Sequence, residues 1–348
     1  MSVVSSSPPS AGPAGLARRS SDLFKPAPLI DGCGRRIDHL RLSVTDACDL
    51  RCAYCRPTAC GPTPRAAVLS DRQRAEFTAF LCRRYGLSRV RFTGGEPLMH
   101  DSLASLIAQV RELCPGLALT MTTNGRRLAE YAADLRAAGL QRLNVSLDTL
   151  DPATYRNLTG GKLADVLAGI EAAQAAGFAM PKLNAVALRG VNDAELVELA
   201  TWAMRRGSEM RFLEAMPIGP AAEFARLHFT PAREIRERLA AAFELEPLPR
   251  GPGETAARYH ATGESGSGVI GIVAPVSEPF CASCRRIRLV ANGRLYPCLL
   301  DERCVDMTVA WRDGVLDEPR AAGLIESAVA AKAPAGRMQP HAMVSIGG

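Results

Sequence analysis

Between residues 38 and 217 the chain alternates a short β-branched or apolar run with a longer amphipathic stretch, six times over. No other feature narrows the fold as much. Parallel strands need a long crossover, usually a helix, so β/α units in series imply a parallel sheet or partial barrel. Strands are expected at 40–44, 90–93, 117–121, 143–147, 182–188 and 211–215. Between them, Ser70 caps a helix running to 85, and Asp101 caps another whose Leu103, Leu106, Ile107 and Val110 share one face. A third helix, 126–138, ends at Gly139. Leu163, Val166, Leu167 and Ile170 mark a fourth, and Asn192 with Glu195 reads as a capping box for a fifth.

After Pro217 the pattern changes. Thr230-Pro231 opens one more helix, and the Pro- and Gly-rich stretch 247–268 reads as a linker or loop. Short strands and turns follow over 269–300, with Asn292-Gly293 as a hairpin signal. The expected organisation is a disordered arm over 1–27, a β/α domain over 28–230 and a smaller α+β extension over 231–348. The arm is rich in Ser, Pro and Ala without an apolar core, which argues against a signal peptide. An organellar targeting segment is its alternative, given Arg18 and Arg19.

In the 348 residues, 47% hydrophobic and 22% charged content is that of an ordinary soluble globular protein. The apolar runs are too short to span a bilayer. A formal charge of +6 is mild and gives no reason to expect nucleic acid. Eleven cysteines are many, but an odd count clustered at short spacings favours metal over disulfides and a cytoplasmic, reducing setting.

Cys48, Cys52 and Cys55 form a C-x3-C-x2-C triad directly after the first expected strand. Functional loops of β/α folds lie at the carboxyl ends of strands. A [4Fe–4S] cluster normally takes four thiolates. Three leave one iron open, and S-adenosylmethionine (SAM) can chelate it through its amino and carboxylate groups. Reductive cleavage then releases a 5′-deoxyadenosyl radical. By spacing alone, zinc completed by Cys60 is the alternative. Gly94-Gly95-Glu96-Pro97 ends the second strand. Its glycines allow close backbone approach to a ligand, and Glu96 can accept from an ammonium group. The alternative is a plain strand-to-helix turn.

Cys281, Cys284 and Cys298 form a second triad. Taken alone, zinc completed by Cys304 or a histidine is the better reading. The wider pattern is more specific. LRLSVTDACDLRCAYC, RFTGGEP, TTNG, NVSLDTLDP, RGVND, RFLEAMPIG, PFCASCRRIRL, NGRLYPCL and a terminal Gly-Gly occur in order. Over roughly residues 30–348 the chain resembles the GTP 3′,8-cyclases, radical SAM lyases that open molybdenum-cofactor biosynthesis.

The resemblance implies a partial (β/α)6 radical SAM barrel and a C-terminal extension carrying a second [4Fe–4S] cluster. It implies Cys48, Cys52 and Cys55 as ligands of the first cluster and Cys281, Cys284 and Cys298 of the second. Tyr54, Gly95, Ser146 and Met216, with Glu96, fall on SAM positions. Arg41, Arg91, Thr122 and Lys182 fall on GTP positions. Arg286 and Arg288 match the Arg-x-Arg pair that meets GTP, and Gly347 and Gly348 the tail that reaches the active site. The implied reaction has the deoxyadenosyl radical take the 3′ hydrogen of GTP, after which C3′ attacks C8, giving 3′,8-cyclo-7,8-dihydro-GTP. An electron donor and a downstream cyclic pyranopterin phosphate synthase are the implied partners. A homodimer is compatible with the sequence but not decided by it.

Three departures bear on substrate choice. Arg285 stands where the family commonly has Asn, His100 where Arg is common, and the 56–69 stretch is short and lacks acidic residues. Two other readings remain. One is a radical SAM maturase or paralogue with an auxiliary cluster and another substrate. The other is a non-catalytic, zinc-stabilised binding protein.

Overall fold

The computed structural model describes residues 26–55, 69–264 and 266–336. The arm over 1–27, Cys60, nearly all of 56–69 and the Gly347-Gly348 tail thus fall outside the described residues or at their margin.

The β/α series is present. Its strands are β1 (His39–Ser43), β2 (Arg89–Thr93), β3 (Ala118–Thr123), β4 (Arg142–Ser146), β5 (Lys182–Ala187) and β6 (Met210–Glu214). They lie side by side in chain order and all run parallel. The crossovers are α1 (Asp71–Tyr85), α2 (Leu103–Leu113), α3 (Leu128–Ala137), α4 (Pro152–Thr159), α5 (Leu163–Ala175) and α6 (Leu196–Arg205). Beyond them lie α7 (Ala222–Leu227), α8 (Ala232–Ala240), β7 (Glu244–Leu248), β8 (Ala257–Gly263), β9 (Gly266–Val273), β10 (Arg286–Leu289), β11 (Arg294–Tyr296), β12 (Val305–Asp306) and α9 (Glu318–Ala330).

Strands β7–β12 extend this sheet at both edges, and Trp311–Arg312 with Val315–Leu316 make a separate two-stranded hairpin. β9 pairs parallel with β6 and carries β8 and β7, while β10 pairs parallel with β1 and carries β11 and β12. The second cysteine triad, flanking β10 and β11, is thereby brought beside β1, whose loop carries the first.

Strand alternation separates two chemistries. Leu40, Leu42, Val90, Phe92, Leu119, Met121, Leu183 and Phe212 are buried under the helices as core. The residues between them are Arg41, Arg91, Thr122, Asn144, Asn184, Arg211 and Arg288, which face the hollow of the sheet. Period-two alternation therefore yields an apolar outer layer and a polar, cationic interior.

Several local expectations hold for the physical reason given. Ser70 and Gln73 make a reciprocal capping box for α1. Gly139 follows α3 at φ 95°, and Gly293 turns the β10–β11 hairpin at φ 80°. Others are corrected. Ser102, not Asp101, precedes α2, and no side chain caps it. Asn192 and Glu195 form no capping box. Asn192 Oδ1 accepts from Leu188 N and its Nδ2 donates to the Asp148 and Val186 carbonyls, while Glu195 accepts from the Thr149 hydroxyl. The 247–268 stretch is no linker, because it holds the end of β7, all of β8 and the start of β9. Its prolines and glycines sit at the sheet edge and in the turns, where strands tolerate them.

Candidate functional site

The loop after β1, residues 44–55, carries the first triad. It is held from several sides by backbone and side-chain bonds. Gly95 N and Glu96 N donate to the Thr45 and Ala47 carbonyls at 2.8 and 2.7 Å. Arg51 N and Ala53 N donate to the Thr159 and Leu158 carbonyls at the end of α4. Asn124 Nδ2 donates to Asp49 Oδ1 at 2.8 Å, and the Tyr54 hydroxyl donates to Asp148 Oδ2 at 2.7 Å.

The glycines of the second loop serve this packing. A Cβ on Gly94 would lie 2.4 Å from the Thr45 carbonyl oxygen, and one on Gly95 2.3 Å from that of Ala47. Their close approach is to the cysteine loop, and Gly94 as well as Gly95 borders the cavity where a ligand would lie. Glu96 is fully engaged with protein. Its oxygens accept from Thr123 Oγ1 at 2.7 Å, Asn124 N at 2.6 Å and Leu98 N at 3.0 Å. Burial raises its carboxyl to about 7 despite these donors. Burial likewise raises Asp148 to about 6, against the lowering effect of Tyr54 and Val186 N.

A cavity of about 250 Å³ opens over this loop. Cys48, Cys52, Cys55, Tyr54, Gly95, Glu96, Thr122, Ser146 and Met216 all line it, together with Arg41 and Arg91. A second cavity of about 180 Å³ is lined by Cys281, Cys284, Cys298, Arg286, Arg288 and Lys332. It shares Arg41, Arg91, Asn184, Leu213, Glu214 and Met216 with the first. A third hollow, of about 130 Å³, lies toward the amino ends of the strands and again includes Arg41 and Arg91. Lys182 lines this one and neither of the others. Eight Arg and Lys side chains border it against one lining carboxylate, Glu254. Such a chamber suits a polyanion.

The cationic interior is held at an electrostatic cost. Arg41 is lowered to about 10 by burial and then by Arg286. Arg91 and Arg288 are pushed well down, by burial first and then by Arg41 in both cases. Guanidinium groups do not lose their proton under such pressure. The depression instead registers like charges crowded away from water. Among the described residues neither Arg41 nor Arg91 bonds to a carboxylate. Lys182 donates to Glu209 Oε2 at 2.5 Å, and Arg211 to Glu209 Oε1 at 2.6 Å.

At the second triad, burial pushes the Cys284 thiol up, but Arg286 and then Lys332 outweigh it and bring the thiol down to about 6. That is the environment of a thiolate ligand. Among the described residues no three His, Cys, Asp or Glu side chains close on a single ion-sized point. Each three-cysteine set opens on a cavity, and three thiolates there could cover three corners of an iron–sulfur cluster and leave the fourth free.

Two of the three departures are bonded to protein carboxylates. Arg285 turns away from the cysteines and makes a bidentate ion pair with buried Asp38. His100 bonds to Asp71 at 2.9 Å at the start of α1. The third, 56–69, lies almost wholly outside the described residues. Reading the sequence motif by motif passed over Asn144, Asn184, Arg211 and Arg89. The signal that finds them is polar residues at alternate positions of strands whose other face is apolar. It also passed over Asp148 as the partner of Tyr54, and Glu214, which accepts from Ala232 N, Val276 N and Ser277 N and so anchors α8.

Residues 42–203 match the Radical SAM superfamily model, and residues 208–338 match that of Molybdenum Cofactor Synthesis C. The chain is 43% identical to the GTP 3′,8-cyclase of Paenarthrobacter nicotinovorans, covering 84% of this chain and 86% of that one. It is 41% identical to the GTP 3′,8-cyclase of Rhizobium meliloti, covering 88% and 87%. Among solved structures, Streptococcus suis SuiB bound to precursor peptide SuiA aligns with a TM-score of 0.57 at 15% identity, over 83% of this chain and 66% of that one. Native anSMEcpe with bound AdoMet aligns with a TM-score of 0.54 at 12% identity, over 83% of each. These two share the fold.

Proposed function

Because the chain belongs to the GTP 3′,8-cyclase family of radical SAM enzymes, we propose that it closes a carbon–carbon bond within GTP, between C3′ of the ribose and C8 of the guanine. The product is 3′,8-cyclo-7,8-dihydro-GTP, the entry to molybdenum-cofactor biosynthesis. One observation carries the reading. Arg41 and Arg91 border all three hollows, so the two thiol triads and the polycationic chamber open on one shared interior.

Cys48, Cys52 and Cys55 hold the first [4Fe–4S] cluster, and Cys281, Cys284 and Cys298 the second. Tyr54, Gly95, Glu96, Ser146 and Met216 surround SAM. When bound, the first cluster and SAM supply a 5′-deoxyadenosyl radical for one electron from a donor protein. Arg41, Arg91, Lys182 and Arg211 receive the triphosphate; Glu209 already pairs with the last two, while Arg41 and Arg91 bond to no carboxylate among the described residues. Arg286 and Arg288 fix the nucleotide on the side of the second triad, with Thr122 at a strand end between. Leu213 and Met216 keep water from the reacting carbons, and fixed binding of both halves of GTP holds C3′ and C8 within reach of each other. The net change on the substrate breaks C3′–H, joins C3′ to C8 and adds one electron and one proton.

A cyclic pyranopterin phosphate synthase consumes the product. Among the described residues no helix is long and apolar enough to cross a membrane. Half-buried thiols that must stay reduced to hold clusters favour a reducing compartment, which makes the cytoplasm the working location. Reduced, reconstituted protein incubated with SAM should form 5′-deoxyadenosine only when GTP is added. Equal formation with a peptide and none with GTP would favour the maturase reading instead.

A further inference from the structure

Lys332 follows α9 and is 4% exposed. Its ammonium donates to the Arg286 carbonyl at 2.9 Å and to the Pro297 carbonyl. Those residues flank the second triad, since Arg286 lies two positions after Cys284 and Pro297 immediately before Cys298. No carboxylate among the described residues lies within ion-pair distance of the ammonium. The opposite charges that act on it most strongly are Cys284 and Cys298, with the Asp301 carboxylate, itself paired with Arg303, acting more weakly.

A buried ammonium without a carboxylate is costly, and a protein retains one where another negative group answers it. Three thiolates around a [4Fe–4S] core carry net negative charge, which deepens on reduction. Arg35 repeats the arrangement one step further along the chain. Its guanidinium donates to the Cys281 carbonyl at 2.8 Å, the Ala333 carbonyl at 2.7 Å and the Pro334 carbonyl at 3.0 Å, and is held by buried Asp31 at 2.6 Å. Between them the two cations tie residues 332–334 to the backbone beside all three cysteines.

We propose that Lys332 is a positioning residue for the second cysteine triad, holding the Cys284 and Cys298 loops at their spacing, supplying the buried positive charge that answers the thiolates, and fixing, with Arg35, the root of the C-terminal segment to that triad. This rests on the reading of the second triad as a cluster site. Hydrogen bonds and charge next to a cluster set its reduction potential, and a nearby cation favours the more negative, reduced form.

The test uses full-length parent, Lys332→Met and Lys332→Arg proteins, reconstituted anaerobically. Iron and sulfide are counted, and each cluster's potential is followed by electron paramagnetic resonance. The parent should hold about eight irons. Lys332→Met should lose iron from the second site only, or retain it at a more negative potential, and Lys332→Arg should recover both. The first cluster serves as the control for folding. Full iron at the parent's second-cluster potential in Lys332→Met overturns the proposal. So does equal loss from both sites that Lys332→Arg does not restore. A parent with iron at the first triad alone overturns the two-cluster reading itself, whatever the variants do.

Discussion

Arg41 on β1 and Arg91 on β2 are register partners, and both border each of the three hollows described above. Two guanidinium groups side by side, with Arg288 in register with Arg41 on the other flank, would repel in any site built for stability alone. Their arrangement makes sense as a receptor for several negative charges at once.

A trade between stability and binding follows for Arg91→Met. Removing one of the crowded charges should leave the ligand-free fold more stable, by about 1 kcal/mol. The same change should weaken GTP by at least about tenfold, through loss of a charge-assisted phosphate contact. Denaturant midpoints and calorimetric titration of the one variant read both. A variant that is less stable and binds GTP normally would contradict the assigned role.

Glu96 gives a pH signature. Its carboxyl, raised from 4.5 to about 7 by burial, keeps a proton in the fold where the unfolded chain has released it. Its favourable contribution is therefore complete below pH 4.5 and is lost as pH rises through about 7, an effect on the order of 3 kcal/mol. Glu96→Gln removes that slope. It also sets an amide nitrogen against protein donors, which adds an offset that does not vary with pH. The stability of the parent relative to the variant should fall between pH 5 and 8, as read by denaturation at each pH. A parallel pair of curves would refute the burial assignment.

Gly95→Ala would force a methyl group to within 2.3 Å of the Ala47 carbonyl oxygen, backbone that cannot swing aside as a side chain does. The first-triad loop must then shift. Iron should be lost from the first site while the second keeps its own, halving iron per chain and abolishing deoxyadenosine formation. Retention of the full iron content would show that the loop packing is more forgiving than these contacts imply.

Arg285→Ala separates structure from substrate choice. It would strand the Asp38 carboxylate, 1% exposed, without its bidentate partner, at a cost of about 3 kcal/mol. GTP affinity should hardly change, because Arg285 borders none of the three hollows. A large loss of GTP affinity with little loss of stability would return this residue to the active site.

The β/α series was legible because crossover helices and buried strands leave periodic signals that neighbours reinforce. The β7–β9 hairpins were not. Their edge prolines and turn glycines look like linker punctuation until the sheet edge they join is known. Asn192 and Glu195 show the same limit. Their spacing is that of a cap, but the bonds they make reach across to residues 148–150 and 186–188, which no local pattern reveals. At the site, motif and strand order were enough to bring Cys48, Cys52, Cys55, Tyr54, Ser146 and Met216 onto one cavity. Lys182 lies apart from them because it begins its strand while they end theirs. The pairing of Lys332 and Arg35 with the second triad joins residues about 50 and 250 positions from it, which only the folded sheet makes adjacent.

The most direct test follows one hydrogen atom. Reduced, fully reconstituted protein is given SAM and GTP deuterated at C3′, and the 5′-deoxyadenosine is weighed by mass spectrometry. The expected result is one deuterium in the deoxyadenosine, accompanied by the cyclised nucleotide. Unlabelled deoxyadenosine formed during turnover would contradict the claim that the C3′ hydrogen of GTP is what this interior delivers to the radical.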